Sequence, residues 1–376
     1  MPALLNQGPQ KTKAGGKSVM TQKKKIAFLA TGGTIASAKG PEGLRPAFTE
    51  KEMIELVPEL SDIADIQGKL IMNIDSSNMQ PEDWKVIATE IVEALKKCDG
   101  VVLSHGTDTM AYTSSALTYM LMDLKKPVAV TGAQKSIGEE QSDAAKNLVD
   151  SFKVAASGVP GVFLVFNGDI IIGDRATKMK TASFDAFSSV NAPPAGKVRE
   201  SGRGCADSKK LIIEWNDEVL WQETRRIKQV WAKLKNESGR GCVDSSIDPQ
   251  SRPIKGLEEE PVILYDNLDP RVLLVKLYPG IEPEVLLLAR EKGYHSVLIE
   301  SFGSGGVPFR EPRNLLPAIE ELISSGITVA VTTQVPFEGV NLSLYEVGVK
   351  ALEAGAISMG DMTREAALVR LMMHML

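Results

Sequence analysis

Short runs of Val, Ile and Leu that lack strict alternation with polar residues constrain the fold of this chain more than any other feature. They lie at residues 26–30, 101–103, 128–130, 161–166, 272–277, 296–299 and 328–331. Strands of a parallel sheet are covered on both faces and therefore read as nearly continuous apolar runs. Apolar residues at helical spacing lie between them, at 81–97 and 282–292. Strands that alternate with helices predict an α/β fold.

The length of 376 residues predicts two domains of ordinary size. Residues 193–261 are rich in Pro, Gly, Ser and charged residues, and residues 1–25 hold six lysines and no acidic residue. We therefore expect four parts in chain order. They are a disordered basic tail, an N-terminal domain, a linker with an insertion and a C-terminal α/β domain, at residues 1–24, 25–195, 196–260 and 261–376.

The linker contains one phrase twice, ESGRGCADS at 200–208 and ESGRGCVDS at 237–245. Two copies do not make a repeat protein, for which three or more units are expected. A duplicated surface insertion and a sequence artefact both explain the pair. Cys205 and Cys242 could pair with each other or bind a ligand, so the role of the phrase stays open.

Composition excludes several classes of function. The longest apolar run falls short of the roughly 18 residues that span a bilayer, and the N-terminus does not have the pattern of a secretory signal. Three cysteines without a CxxC spacing, and only three histidines, argue against a zinc site and fit a reducing compartment. A formal net charge of -5 argues against nucleic acid as the main ligand. We expect a cytoplasmic protein without a metal.

Two polar loops follow apolar runs where an α/β sheet binds ligands. TGGTIA at 31–36 follows the first run, and SHGTDTM at 104–110 follows the second. Ligands bind outside the carboxyl ends of strands in open α/β sheets, and two glycines allow the backbone to approach a substrate closely. A plain strand–turn–helix connection also explains the first loop, and a helix N-cap at Asp108 explains the second. A single histidine at a strand end, His105, is more often structural than a base.

Two further segments carry polar groups, NIDSSNM at 73–79 and DRATKMKT at 174–181. The first is also compatible with a loop held by Asx-type hydrogen bonds, and the second with a solvated cationic face. A lysine accepts a proton only where its pKa is lowered. No GxGxxG follows the first strand and no GxxxxGK[ST] occurs, so the usual nucleotide-binding fingerprints are absent from the sequence.

TGGTIAS, NIDSSNM, HGTDTM and TGAQ, in this order and followed by the lysine segment, together resemble the L-asparaginase family. The resemblance extends from about Lys25 to Met373, is interrupted near 199–260, and includes the C-terminal stretches SFGSGGVP, TTQ and ALEAGAISMGDMTREA. It is nearest to the archaeal and type I cytoplasmic branch. It implies an N-terminal three-layer parallel-sheet domain, a smaller C-terminal α/β domain, and assembly into homodimers or homotetramers. It also implies an amidohydrolase that uses neither a metal nor an organic cofactor.

The resemblance implies roles for four residues in the reaction. Thr34 is expected to be the nucleophile that forms an acyl-enzyme, and Thr107, Asp108 and Lys178 to form a hydrogen-bonded relay. A threonine hydroxyl is a poor nucleophile until a base takes its proton, and Lys178 acting through Thr107 would supply that base. A lysine that only forms an ion pair with Asp108 is the alternative.

The resemblance also implies the residues that bind a small amide substrate. Asp108 and Ser76 are expected to hold its α-amino and α-carboxylate groups, because charge-assisted bonds orient a zwitterion. Backbone amides near Thr34 and Ala133 are expected to stabilise the charge that develops on the amide oxygen. The substrate-binding positions implied in this way are Asp75, Ser76, Ser77, Ala133 and Gly33.

One departure from the family pattern brings in a second function. Many members carry a tyrosine on the loop after the nucleophile, whereas residues 36–48 contain none and Leu44 occupies that place. The D subunit of the archaeal glutamyl-tRNA amidotransferase is similar through the same motifs and also has no tyrosine there. That protein carries a small β-barrel ahead of its amidase core, and about 25 residues precede the first strand here.

A non-catalytic amino-acid sensor is a third hypothesis, although a sensor has no use for a nucleophile and a relay. The choice between asparagine and glutamine stays open.

Overall fold

The computed structural model describes residues 23–40, 43–46, 48–201, 211–237 and 262–376. The basic tail up to residue 22, Cys205 and Cys242 lie outside the described residues. The strands are β1 (Lys24–Gly32), β2 (Ser37–Gly40), β3 (Gly43–Pro46), β4 (Ala64–Ile74), β5 (Gly100–Ser104), β6 (Leu121–Met122), β7 (Pro127–Thr131), β8 (Gly161–Phe166), β9 (Asp169–Ile172), β10 (Ala176–Lys178), β11 (Phe187–Ser189), β12 (Gly196–Glu200), β13 (Leu211–Trp215), β14 (Ile263–Leu264), β15 (Val272–Lys276), β16 (Ser296–Ser301), β17 (Thr328–Thr333) and β18 (Ile357–Ser358). The helices are α1 (Glu50–Leu56), α2 (Glu59–Ile63), α3 (Pro81–Leu95), α4 (Met110–Met120), α5 (Ala144–Ala156), α6 (Asp217–Glu237), α7 (Glu284–Glu291), α8 (Leu316–Ser324), α9 (Glu346–Glu353) and α10 (Arg364–Met372). No helix in these ranges has both the length and the apolar character needed to cross a membrane.

Eight strands form the larger sheet, in the order β13-β12-β9-β8-β7-β5-β1-β4. The neighbours from β4 to β8 are all parallel, whereas β8, β9, β12 and β13 pair antiparallel. The strands predicted at 26–30, 101–103, 128–130 and 161–166 are β1, β5, β7 and β8, and the prediction of a parallel α/β sheet is confirmed.

The two faces of β1 show why its sequence is apolar without alternation. Ile26 and Phe28 pack into a core that includes residues of α1, α2 and α5, whereas Ala27 and Leu29 pack into a second core with α3 and α4. All of these side chains are at most 3% exposed. Helices therefore cover both faces of the sheet, and the prediction of three layers is confirmed.

A separate sheet of four parallel strands, β15-β16-β17-β18, forms the C-terminal part of the chain. Val297 and Ile299 of β16 face a core shared with α7 and α8. Leu298 between them faces the opposite side and joins the core that contains α3, α4 and α10. Because α10 contacts both α4 and β16, it packs between the two sheets.

The structure adds regular elements to the segment that its composition assigned to a linker. Residues 196–200 and 211–215 form the antiparallel pair β12–β13, which extends the large sheet, and α6 follows directly. Val230 and Trp231 bury one face of α6 in the same core as α4. Part of the expected linker therefore belongs to the large sheet. Composition did not indicate β12 and β13, because these strands are short, contain only a few apolar residues each and are flanked by polar stretches.

A buried carboxylate anchors α6 to the turn between β9 and β10. Asp174 is 1% exposed and accepts two hydrogen bonds from the Arg226 guanidinium, at 2.8 and 2.9 Å, and one from the Tyr119 hydroxyl at 2.6 Å. Burial alone would raise the pKa of Asp174, but the charge and hydrogen bonds of Arg226 lower it below its ordinary value. The carboxylate is thus ionised and fully compensated inside the protein.

The next residue extends this ionic cluster to the C-terminal part. Arg175, 3% exposed, donates to Glu223 of α6 at 3.0 and 3.2 Å and to the Asp361 carboxylate at 2.9 Å. The Thr363 hydroxyl donates to the Asp174 carbonyl at 3.3 Å. One turn of the large sheet therefore binds both α6 and the start of α10.

We predict that Arg226→Met destabilises the protein by about 3 kcal/mol, because removing one partner of a buried pair leaves Asp174 uncompensated. Chemical denaturation followed by circular dichroism measures the free energy of unfolding. Arg225→Met is the matched control, since Arg225 is exposed and only lies over the Trp221 ring; we expect it to cost less than about 1 kcal/mol. Equal losses in the two variants would contradict this account.

Candidate active site

The polar loops after β1, β4 and β5 lie where the chain connections of the large sheet run to opposite sides of β1. β4 lies on one side of β1 and β5 on the other, and the chain then continues from β5 to β7, away from β1. All of these strands are parallel, so their carboxyl ends share one edge of the sheet. Ligands bind in open α/β sheets at such an edge, next to the switch in direction.

The loops after β1 and β5 touch backbone to backbone. A Cβ on Gly33 would lie 2.5 Å from both Cα and N of Gly106, closer than any real Cβ contact. Gly33 also has φ +82°, in the left-handed region that residues with a side chain rarely adopt. Only glycine at this position allows the two loops to close on each other. Thr34 and Thr107 each directly follow one of these two glycines in the chain.

Thr34 is half-buried and begins a short 3-10 turn, Thr34–Ala36. The next residue connects this turn to the loop after β7, because the Ile35 carbonyl accepts a hydrogen bond from the backbone N–H of Ile137 at 3.2 Å. Ala133, in that same loop, is fully buried. The structure therefore brings the loops that contain Thr34 and Ala133 into direct contact.

The loop after β4 packs against the other side of Gly106. A Cβ on Gly106 would lie 2.6 Å from Ser76 Oγ, and Ser76 is only 3% exposed. Ser76 Oγ accepts from the backbone N–H of Asp108 at 3.2 Å, and its carbonyl accepts from Thr109 Oγ1 at 2.7 Å. Ser76 thus connects two loops, and its hydroxyl is buried between them.

Ser77 and Asp75 differ from Ser76 because they are exposed. The Asp75 carboxylate accepts from the backbone N–H of Ser77 at 2.8 Å, which is the Asx-type bond that the loop pattern allows. The Ser77 hydroxyl reaches Asp108 Oδ2 at 3.4 Å. The open rim of the site is therefore formed by Ser77 and Asp108.

Lys178 joins this group from β10, which forms a separate two-stranded sheet with β11. Its Nζ donates to Thr107 Oγ1 at 2.8 Å and to Asp108 Oδ1 at 2.6 Å. The Lys178 side chain is 16% exposed, whereas that of Asp108 is 60% exposed. The helix that follows begins with Thr109 at its N-cap, so Asp108 is not the cap that the sequence alone allowed.

The strand that carries Lys178 is fixed on its other side by the C-terminal part. β10 pairs with β11, and the Thr177 hydroxyl donates to Glu365 of α10 at 3.1 Å. Glu365 is 3% exposed. The position of the lysine thus depends on the pairing of β10 with β11 and on a contact with α10 of the C-terminal part.

Comparison with known proteins identifies the family. The family model described as Asparaginase, N-terminal matches residues 25–209, and the model described as Glutaminase/Asparaginase C-terminal domain matches residues 271–375. The L-asparaginase of Thermococcus kodakarensis is 37% identical over 349 residues, which cover 93% of this chain and 92% of that protein. The chain belongs to the asparaginase family. It is an amidohydrolase of that family.

Two further comparisons describe its relatives. The D subunit of the glutamyl-tRNA(Gln) amidotransferase of Pyrococcus abyssi is 35% identical over 357 residues, which cover 92% of this chain and 71% of that protein. The solved structure of the thermostable T. kodakarensis L-asparaginase superimposes with a TM-score of 0.74, covering 93% of this chain and 92% of that chain. A structure of a probable cytoplasmic L-asparaginase from Campylobacter jejuni superimposes with a TM-score of 0.68 at 25% identity, covering 94% and 95%.

Gln134 lies in this asparaginase-family site but is missing from the residues that we predicted. Thr107 Oγ1 donates to Gln134 Oε1 at 3.3 Å, and Gln134 Nε2 donates to the Ser183 carbonyl at 3.2 Å. The Asp143 carboxylate holds its backbone N–H at 3.0 and 3.1 Å. The available signal was its place in TGAQ, directly beyond β7. A glutamine there carries no charge or nucleophile, so chemistry alone did not single it out.

His105 is engaged by protein groups at both ring nitrogens. It is fully buried, and Nδ1 lies 2.7 Å from the Gly106 carbonyl, which can only accept, so Nδ1 carries the proton. Nε2 lies 2.9 Å from Thr113 Oγ1, which itself accepts from Trp84 Nε1 at 3.1 Å. Burial lowers the pKa of His105 from 6.5 to about 4, although the hydrogen bond with the Gly106 carbonyl raises the pKa and so opposes part of this shift. A neutral imidazole thus fixes the backbone next to Thr107.

We predict that His105 makes the protein less stable in acid. The unfolded chain takes up this proton near pH 6.5 and the folded protein only near pH 4, so stability falls between these values as the pH falls. The full effect amounts to roughly 3 kcal/mol. His105→Asn keeps a donor for the Gly106 carbonyl but does not titrate. Denaturation at pH 7, 6, 5 and 4 should show the stability of the native protein falling towards, or below, that of the variant. A constant difference between the two would contradict the prediction.

Proposed function

We propose that this protein hydrolyses L-asparagine to L-aspartate and ammonia through an acyl-enzyme on Thr34. The observation that carries the proposal is the contact of Lys178 Nζ with both Thr107 Oγ1 and Asp108 Oδ1, in a loop packed against Gly33. A nucleophile within reach of a base, itself oriented by a third group, is the arrangement that covalent catalysis requires. The similarity to L-asparaginases supports the substrate.

In the proposed acylation, Thr34 Oγ1 attacks the side-chain amide carbon of the substrate. Its proton passes to Thr107 Oγ1 while the Thr107 proton passes to Lys178 in its neutral amine form. The proton held by Lys178 returns through Thr107 to the departing nitrogen as the tetrahedral intermediate collapses, and the nitrogen leaves as ammonia. Water attacks the resulting Thr34 ester, aspartate is released and the hydroxyl is restored. No metal or organic cofactor takes part.

Asp108 and Ser77 are the proposed contacts for the two charged groups of the amino acid. The Asp108 carboxylate is largely exposed and binds the α-ammonium, whereas the exposed Ser77 hydroxyl binds the α-carboxylate. Ser76 was expected to touch the substrate, but its buried hydroxyl between Gly106 and the Asp108 N–H supports a positioning role instead. Asp75 acts through the backbone of Ser77.

The developing negative charge on the amide oxygen needs donors that are already in place. Backbone N–H groups near Thr34 and Ala133 are the proposed donors. The contact between Ile35 and Ile137 supports this assignment, because it fixes the two loops relative to each other. Preorganised donors of this kind contribute about 2.7–4 kcal/mol each in other enzymes, on the order of a hundredfold or more in rate.

A role as the amidase component of a tRNA-dependent amidotransferase is the second candidate. The 35% identity to the amidotransferase D subunit over 92% of this chain favours it. The slightly higher identity to the T. kodakarensis L-asparaginase, 37% against 35%, and the likeness to its solved structure support the first candidate. The third hypothesis, a sensor, does not account for a lysine in contact with Thr107, whose loop packs against the loop that contains Thr34.

We further propose a cytoplasmic homo-oligomer, either a dimer or a tetramer. The C. jejuni structure is described as a probable cytoplasmic L-asparaginase, which supports the location. Large apolar side chains are exposed in the connection between β17 and α9, as expected of a surface that another copy of the chain covers. They are Val335, Phe337, Leu344 and Tyr345.

The decisive test is ammonia release from L-asparagine, with L-glutamine in parallel, by the purified full-length protein at neutral pH. We expect turnover of asparagine, and a loss of at least about 10⁴-fold in kcat in Thr34→Ala while aspartate binding persists. Turnover of neither amino acid by folded protein would refute the proposal. Glutamine-dependent amidation of glutamyl-tRNA in the presence of a partner protein would then establish the second candidate.

A second test addresses the relay. Lys178→Met removes the base, and we expect kcat to fall by about 10²–10⁴-fold with a smaller change in KM. Lys180→Met is the matched control, because Lys180 is exposed, two residues away and paired with Asp185 instead. A Lys178→Met variant with native kcat would show that this lysine only forms an ion pair with Asp108.

A further inference from the structure

Two of the three histidines of this chain lie together, outside the site described above. The His295 and His374 rings have their centroids 4.3 Å apart and are tilted by 34°. The Asp269 carboxylate lies beside them, with Oδ2 4.0 Å from His295 Nε2. One ligand atom from each of the three side chains can be chosen so that all lie within 4.8 Å of one another.

We propose that Asp269, His295 and His374 form a binding site for a divalent transition-metal ion, with Zn²⁺ as the probe ion. Imidazole nitrogen and carboxylate oxygen are ordinary ligands of Zn²⁺, at about 2.0–2.2 Å. A tetrahedral ion at these distances has its ligands roughly 3.4 Å apart. Shifts of about 1 Å, within reach of side-chain rotation, therefore bring the three groups to a bound ion. His374 is exposed, which leaves a fourth position open to water.

Backbone hydrogen bonds place all three ligands before any metal arrives. The Asp269 N–H donates to the Met372 carbonyl at 2.7 Å, and the His295 N–H donates to the Arg271 carbonyl at 3.0 Å. The His374 N–H donates to the Leu371 carbonyl at 3.1 Å. The ligands thus stand on a connected frame at the amino ends of β15 and β16 and at the end of α10. A preformed frame reduces the cost of ordering the ligands on binding.

The neighbour of His295 supports its role as a ligand. His295 Nδ1 lies 2.8 Å from Ser296 Oγ, and Ser296 is 3% exposed. A hydroxyl can donate or accept, so Ser296 is a suitable partner for either tautomer of the ring. His295 Nε2 also lies 3.4 Å from the Asp269 carbonyl, a long contact that a bound ion would replace, with Nδ1–H then donating to Ser296. Partners of this kind at the second ring nitrogen orient most metal-bound histidines.

Arg271 limits the affinity of the site without blocking it. Its guanidinium donates to Asp269 Oδ1 at 3.0 Å and to Oδ2 at 2.6 Å. A carboxylate has about four lone-pair positions, so it can bridge an arginine and an ion. The positive charge nearby weakens binding, and a site that only partly encloses the ion is expected.

The site follows from tertiary structure, which is why sequence spacing did not predict it. Metal motifs are found by short spacings such as CxxC, whereas these ligands come from three separate stretches of the chain. Bound metal would fasten the last turn of α10 to the start of the C-terminal sheet. Ligand binding to the folded state alone raises the melting temperature.

Calorimetric titration of metal-stripped, full-length protein with ZnCl₂ tests the proposal. Thiolates also bind Zn²⁺, so the titration uses a Cys205→Ser, Cys242→Ser background that is otherwise native. We expect one ion per chain, a rise in melting temperature, and an affinity at least about 10-fold weaker in His374→Ala and in Asp269→Asn. Asp266→Asn, which changes an exposed carboxylate three residues from Asp269, is the matched control and should bind as the background does.

Co²⁺ absorption identifies the ligands independently. Bound Co²⁺ should give visible bands of tetrahedral or five-coordinate geometry without the sulfur charge-transfer band that thiolates produce, and His374→Ala should lose them. No saturable binding by the background protein, or equal affinity in His374→Ala, Asp269→Asn and Asp266→Asn, would overturn the proposal. Neither readout involves amide hydrolysis, so the result does not depend on the proposed function.

Discussion

The close approach of Gly33 to Gly106 is the constraint on which the rest of the site depends. A single Cβ on either residue would separate the loops. A Cβ on Gly33 would collide with the backbone of Gly106, and a Cβ on Gly106 would collide with Ser76. With both glycines in place, the loops after β4, β1 and β5 converge, and these loops carry Thr34 and Thr107. The chemistry proposed for this edge needs such convergence, since a proton moves between hydroxyls only at hydrogen-bond distance.

Lys178 reaches the site from a different part of the fold. Lys178 lies on a short strand whose preceding residue, Thr177, is held by Glu365 of α10. Helix α10 of the C-terminal part therefore supports the position of the lysine, whereas Thr34 and Thr107 lie in loops that follow strands of the larger sheet. His105 adds rigidity from beneath, because its neutral ring holds the Gly106 carbonyl within a buried chain of hydrogen bonds that begins at Trp84. Rigid support is what keeps donors and nucleophile in a productive geometry.

The sequence predicted the core strands and the loops that follow them, because buried parallel strands leave an unmistakable apolar pattern. It also predicted that Thr107, Asp108 and Lys178 lie together, through the resemblance to a family; their roles stay a proposal. Three features of the structure could not be predicted from the sequence. Burial of Ser76 depends on how closely Gly106 approaches. Gln134 lacks any reactive group to attract notice. His295 and His374 meet only through tertiary packing, since 78 residues lie between them in the chain.

The ionic cluster around Asp174 and Arg175 limits how early in synthesis the turn between β9 and β10 can be buried. These two charges leave the ribosome well before α6, which supplies Arg226 and Glu223, and long before Asp361. Until those partners emerge, the turn between β9 and β10 cannot enter the interior without stranding charge in an apolar environment. The turn can therefore be buried without an uncompensated charge only after α6 has been synthesised, and Asp361 later adds a further, half-exposed partner for Arg175.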